Sequence, residues 1–228
     1  MGYRASSVPS RVEKARNGKE TSNLIVSFPL QQIEQHFKET FKDIKKQFSV
    51  CSKLEAEGRS LEAKDIYRLL IVYIEGALDF YLHELSKYAF LKMFEGKWDK
   101  TTGYKLFKID MQAVEIGLKN KESNYWLLEH VNDVFSFQTY EGSRKISMQL
   151  DLIGINFSNV FGKMSKVNKK ASSKMLDDLF ARRNQIAHQT DRKHSSAQKE
   201  DIDKNYVQDA LNFIENFVEV FHMIAKTK

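Results

Sequence analysis

Hydrophobic residues along this chain recur with helical spacing. Ile33, Phe37, Phe41, Ile44 and Phe48 follow one another at intervals of 4, 4, 3 and 4, which puts them on one face of a helix. Pro29 suits the start of that helix, where a missing N–H costs nothing. Gly58 ends it after about Glu57. A longer helix is predicted over roughly 60–94, with Ser60 able to cap it. Ile66, Leu69, Leu70, Tyr73, Ile74, Ala77, Leu78, Tyr81 and Leu85 give it a broad apolar face, widened by Val72, Phe80 and Leu82. Such a helix belongs at the centre of a bundle, and its 35 residues span about 50 Å.

The pattern then changes. Between residues 96 and 142, Gly96, Gly103, Gly117 and Gly142 punctuate short helical pieces near 110–119 and 123–135. Trp98, Tyr104, Phe107, Tyr125, Trp126, Phe135 and Phe137 concentrate there. They suit either an insertion packed over the bundle or a base-stacking surface. Further helices are expected at about 143–152, from Asn156 to about Lys166, and from Ser172 or Ser173 onward. Asp177 and Asp178 then lie near the start of the last of these, where the helix dipole favours anions. A polar loop over 190–198 precedes the final helix, with Ser195 and Gln198 at capping-box spacing. Tyr206, Ala210, Phe213, Ile214, Phe217, Val220, Phe221 and Ile224 form its stripe.

Composition agrees with this helical reading. Ten Gly and two Pro amount to about 5% of 228 residues, against roughly 12% in an average protein. A β-sandwich or barrel would need more of both at its turns. The first 23 residues are polar, carry Arg4, Arg11, Lys14, Arg16 and Lys19, and read as a flexible basic arm. The start formally fits an N-myristoylation pattern, one short enough to arise by accident. It lacks the apolar core of a secretory signal. The single Cys51 excludes a disulfide framework and a Cys-based zinc site, and fits a reducing, cytoplasmic setting. No stretch is apolar enough to predict a membrane span.

Net charge is +6, which permits a polyanionic partner without establishing one. Its distribution says more. Residues 161–194 hold nine Lys or Arg against three Asp, a net +6 that equals the excess of the whole chain. Within this basic segment lies Arg183-Asn184-Gln185-Ile186-Ala187-His188. Asn184 and His188, four apart, share a helix face. Arg183 and His188, five apart, stand about 140° apart around the axis, so a long side chain or a loosened last turn must close the gap.

These residue types suit metal-free RNA cleavage. His carries a proton near neutral pH. Arg presents a fork of donors to a phosphate, and Asn can orient the imidazole or hold a phosphate oxygen. The reaction needs an acid and a base, yet the motif supplies one His per chain, so a two-fold dimer would complete it. A simpler reading is also open, because Arg and His at a helix C-terminus complement its dipole and cap carbonyls. His36, His83, His130 and His222 show no metal-ligand spacing and read as surface or boundary residues. Glu75, inside the apolar central helix, either pairs with Arg183 and orients it or sits at an exposed edge.

The hexapeptide resembles the Arg-x4–6-His signature of the HEPN superfamily, in which a polar residue, often Asn, follows the Arg. The flanking Leu176–Arg182 segment and Ile214-Glu215-Asn216-Phe217-Val218 fit the resemblance. Tyr67–Asp79 is similar to the long central helix of RiboL-PSP-type HEPN domains, and Leu150–Ile155 is similar to the segment ahead of their motif. The resemblance covers about 60–225. It implies an all-α, HEPN-like helical bundle over 24–228 with long central helices and an irregular helical, aromatic insertion at about 96–142. It also implies a metal-independent endoribonuclease that needs no cofactor, with Arg183 and His188 catalytic and Asn184 assisting. Arg182, Arg192, Lys193 and His194 are expected to bind substrate, with a solvated loop as the other reading of the last three.

The implied partners are RNA, a second copy of the chain, and an antitoxin or other protein, with no membrane. Such domains are typical of toxin–antitoxin and phage-defence systems. The superfamily also contains inactive modules that bind RNA, nucleotides or partner proteins. The helix at 29–57 and the insertion at 96–142 depart from a minimal bundle of this kind.

Overall fold

The computed structural model describes residues 25–164, 169–193 and 195–228. The expected basic arm and His194 lie outside the described residues, as does the expected end of the 156–166 piece. Among the described residues there are nine helices and no strand. The first two are α1 (Leu30–Ala56) and α2 (Ser60–Phe94). The middle of the chain forms α3 (Thr102–Lys105), α4 (Met111–Lys119), α5 (Tyr125–Ser136) and α6 (Gly142–Leu152). Then come α7 (Phe157–Lys163), α8 (Lys169–Gln189) and α9 (Lys204–Lys226).

The α1 stripe is buried as its spacing predicts, from Ile33 through Phe48, and ends on buried Cys51. Pro29 stands just outside the helix, its carbonyl accepting from the amides of Gln32 and Ile33. Gly58 adopts φ 78°, which lets Arg59 N–H reach back to Leu54 O and Gly58 N–H to Glu55 O. This paired cap satisfies the last carbonyls of α1 and reverses the chain. The same device at Gly96 ends α2, with φ 72° and Lys97 N–H on Lys92 O. Ser60 does not cap α2; Arg59 occupies the cap position with no side-chain hydrogen bond there.

Helix α2 is the axis of the bundle. Tyr67, Leu70, Ile71, Ile74, Leu78, Tyr81, Leu82, Leu85 and Phe90 are buried among α1, α5, α8 and α9. Three residues of its expected apolar face remain open to solvent: Leu69 at 53%, Tyr73 at 58% and Phe80 at 45% exposure. Periodicity identifies an apolar stripe but not what covers it. Helix α9 crosses α2 and buries Leu211, Ile214, Phe217, Val218 and Phe221. Phe217 also stacks on Phe161 of α7 at 5.4 Å.

The aromatic insertion is packing, not an open stacking surface. Trp98 and Phe135 are buried, and Tyr104, Phe107, Tyr125 and Trp126 pack against the core. Phe90, Phe107 and Phe135 form an edge-to-face cluster with centroids 4.6–6.0 Å apart, an arrangement that ring quadrupoles favour. Only Phe137 of this group is fully exposed.

Three further expectations are corrected. Helix α8 begins at Lys169, so Asp177 and Asp178 lie well past its first turn. Asp177 instead caps the neighbouring helix, accepting from Ser143 N–H at 2.7 Å and from Ser143 Oγ at 3.0 Å. The final helix is capped by Asp203, which accepts from Tyr206 N–H at 2.9 Å, and not by Ser195. His222 is no surface residue. It is buried between Tyr81 Oη at 3.1 Å and Glu34 Oε2 at 2.9 Å.

Candidate functional site

Arg183, Asn184 and His188 lie on the last turns of α8, which stays α-helical through Gln189. No loosened turn therefore narrows the angle between Arg183 and His188. Arg183 turns toward α2. Its Nε lies 3.0 Å from Glu75 Oε2, and its Nη1 donates to Asn184 Oδ1 at 2.9 Å. The Nε–H is not aimed along the Glu75 contact and makes no hydrogen bond, so that contact is an ion pair by proximity. His188 is exposed, and among the described residues no hydrogen bond joins it to Arg183 or Asn184. One chain thus brings together Arg183, Asn184 and Glu75, and leaves His188 one turn beyond Asn184 and about 140° around the axis from Arg183.

Glu75 is buried in the middle of α2. Burial pushes its carboxyl up to about 7, because the charged form loses its water. The Arg183 guanidinium pulls the other way, while Asp79 and Glu141 add to the rise. The group that holds Arg183 therefore changes charge near neutral pH. Arg183 also borders a groove of about 600 Å³ between α1 and α2, walled by Phe37, Ile44, Val72, Tyr73 and Phe80.

Arg182, the adjacent residue, points elsewhere. Its Nη2 donates to Asp191 Oδ2 at 2.9 Å and to the carbonyls of Glu200 and Asp201, and its Nη1 lies 3.3 Å from Glu200 Oε2. Every one of these partners belongs to the same chain, which engages Arg182 in holding the loop behind α8. Asp191 is fully buried and takes a second guanidinium, Arg68 Nε, at 2.5 Å. Arg68 Nη2 also donates to Glu200 O at 2.8 Å.

This clasp closes the loop behind α8. It holds Thr190 and Asp191 at φ 50° and 61°, left-handed conformations that are costly for a β-branched residue. It was not anticipated from the sequence. The available signal was Arg68 itself, seven residues from Glu75 and hence on nearly the same face of α2.

The remaining expected substrate contacts lie on the loop that follows. Arg192 and Lys193 are exposed, and Arg192 pairs with Lys199 in an isolated antiparallel bridge. Arg192 Nη1 donates to Ala197 O at 2.6 Å, and Lys193 N–H donates to Gln198 O. Among the described residues no group of three His, Cys, Asp or Glu could hold a metal ion, and no helix is long and apolar enough to cross a membrane.

A long buried central helix, a partner helix ending in Arg-Asn-x-x-x-His, and an all-α core define a HEPN-type domain. The chain belongs to the RiboL-PSP-HEPN family, whose model matches residues 35–225. That span takes in most of α1 and runs across the insertion. HEPN domains are generally associated with ribonuclease-type or related functions, and they often bind RNA and dimerise. Searches of curated proteins and of solved structures return no match.

Proposed function

We propose that this protein is a metal-independent endoribonuclease whose active site is completed by a second copy of the chain. The observation that carries the reading is the arrangement of buried Glu75 with half-buried Arg183 and Asn184, which fixes a guanidinium at the end of α8 near an exposed His188. Family membership alone does not carry an activity; preorganised donors at a site do.

In this reading the ribose 2′-OH attacks the adjacent phosphorus and the 5′ oxygen leaves, giving a 2′,3′-cyclic phosphate end. Arg183 neutralises the charge that grows on the phosphate oxygens, and Asn184 holds Arg183 in place. His188 of one copy takes the 2′-OH proton, and His188 of the other donates to the leaving oxygen. The separation of Arg183 from His188 within one chain supports a composite site, as do the exposed Leu69 and Tyr73 on the same side of α2. Arg192 and Lys193 supply phosphate contacts from the loop. The cellular role that fits is a cytoplasmic toxin or phage-defence effector, restrained by an antitoxin or another partner protein.

The separation also favours a second reading where no second copy joins, that of a non-catalytic module that binds RNA or a nucleotide. Purified protein incubated with total RNA in EDTA separates the two. Cleavage lost in His188→Ala and in Arg183→Ala, with cyclic phosphate at the new ends, is the expected result. Identical RNA profiles for wild type and His188→Ala would sink the nuclease reading. Light scattering that shows only monomer would sink the composite site.

A further inference from the structure

A second groove, of about 280 Å³, lies between α2 and α5 and shares Gly76 and Phe80 with the groove beside Arg183. Its polar wall contains a buried ion pair. Glu84 and Lys87 are only 6% and 8% exposed, and they pair through Glu84 Oε1 at 2.7 Å. Lys87 Nζ also reaches Asn132 Oδ1 at 3.4 Å. Glu84 Oε2 is buried and has no hydrogen-bond partner. A buried ion pair contributes little net stability compared with apolar residues of the same size, and an orphaned carboxylate oxygen makes it poorer still. A ligand in the groove could supply the missing donor.

We infer that this groove reads a guanine base in RNA bound at the motif, an inference that rests on RNA being the substrate as proposed above. The cluster offers acceptors on a carboxylate beside donors on an ammonium. Guanine presents the complement, two adjacent N–H donors at N1 and N2 next to the O6 acceptor. Adenine has no carbonyl, cytosine has one donor against two acceptors, and uracil has a single donor between two carbonyls. Because Glu84 Oε2 is enclosed, binding turns the Glu84 side chain toward the groove, where its carboxylate accepts from N1–H and N2–H while Lys87 donates to O6. The exposed ring of Phe80 provides a face on which the base stacks. Nine residues of helix separate Glu75 from Glu84, about 13 Å of rise and two and a half turns, so a strand bound at the motif reaches this groove by crossing α2 at the shared Gly76 and Phe80. Gly76, at the junction of the two grooves, has no atom within 4 Å of where a Cβ would sit and leaves the path open.

Short single-stranded RNAs with 2′-O-methyl riboses, which cannot be cut by 2′-OH attack, test this on the intact wild-type protein by fluorescence anisotropy. An oligonucleotide with one guanine should bind at least about tenfold more tightly than the same strand with inosine, which lacks the N2 amino group. Glu84→Gln should erase that difference. Equal affinity for the two strands in the wild type, a preference that survives in Glu84→Gln, or no binding of either strand overturns the inference. The guanine–inosine comparison needs no variant, so it stands even if Glu84→Gln folds poorly. The two proposals fail separately. Guanine preference without cleavage of unmodified RNA removes the nuclease reading alone, and cleavage without guanine preference removes this one alone.

Discussion

The Arg68–Asp191–Arg182 clasp makes a quantitative prediction about what holds the His188 end of α8 in place. In Asp191→Asn the backbone keeps a residue that tolerates the left-handed conformation at φ 61°, so the change acts mainly on charge. Asp191 is fully buried and accepts from two guanidiniums at 2.5 and 2.9 Å. Neutralising it leaves two cations in the protein with one carboxylate fewer. Breaking a buried pair from one side costs about 3–5 kcal/mol, a large share of a typical total of about 5–15 kcal/mol. At about 2–4 °C per kcal/mol for a chain of this size, the melting temperature should fall by about 6–20 °C.

Lys174–Asp178 is the control, a pair on the same helix at 2.5 Å with both side chains exposed. Its loss in Asp178→Asn should cost no more than about 0.5 kcal/mol. The shorter Asp191 contact and the Asp178 contact are both 2.5 Å, so burial and the second guanidinium, not contact length, set the contrast. Circular dichroism melts and urea titrations of both variants measure it. Equal losses in the two variants would refute the reasoning, because burial would then not decide the outcome.

The other predictions concern pH and helical glycines. The Glu75 carboxyl is raised from 4.5 to about 7, so the folded state binds a proton that the unfolded chain has already released. Wild type should therefore lose stability relative to Glu75→Gln as pH rises from about 4.5 to 7, by up to about 3 kcal/mol at about 1.4 kcal/mol per pH unit; parallel stability–pH curves for the two proteins would contradict this. Burial lowers the His222 imidazole from 6.5, although Glu34 opposes the shift, so the sign reverses. Its contribution is present above pH 6.5 and fades on acidification, and His222→Gln should flatten that acid limb in urea titrations. Gly76→Ala should stabilise α2 by about 0.5–1 kcal/mol, because nothing lies near its Cβ position. Gly117→Ala should cost about 1–3 kcal/mol, because the new methyl would sit 2.5 Å from the Trp126 ring; thermal melts that shift both glycine variants in one direction would contradict the pair.

Where apolar residues repeat with helical spacing, the fold was legible. Helices α1 and α2 fall within a residue of their expected bounds because Ile33 to Phe48 and Ile66 to Leu85 mark every turn. The start of α8 was misplaced because its first turn is Lys-rich and carries no apolar mark. Ser195 and Gln198 have capping-box spacing, but the chain from 191 to 200 is committed to the Asp191 clasp and the Arg192–Lys199 bridge, so the helix waits for Asp203. In the site, the basic motif could be read from adjacent residues. The partners of Arg68 could not, because Asp191 lies 123 positions away. Nor does periodicity separate the buried Tyr81 from the exposed Tyr73 on the same helix.

The two consecutive arginines explain how α8 presents its motif. Arg182 and Arg183 leave the helix about 100° apart, and each meets a different buried carboxylate, Asp191 or Glu75. Both contacts depend on α2, through Arg68 at one point and Glu75 two turns later. The helix is thus gripped on its inner side at two neighbouring residues, while the face that carries His188 has no such tie. In the proposed reaction, a guanidinium held this way would need little reorganisation when charge develops on a phosphate, and the histidine would be free to meet groups from outside the chain. The two grips are also separable. Loss of the Asp191 clasp should disturb the loop and the His188 end while the Glu75–Arg183 pair persists. Loss of Glu75 should free Arg183 without unfastening the loop. A motif built from adjacent residues is therefore two mechanical units, and the boundary between them falls between Arg182 and Arg183.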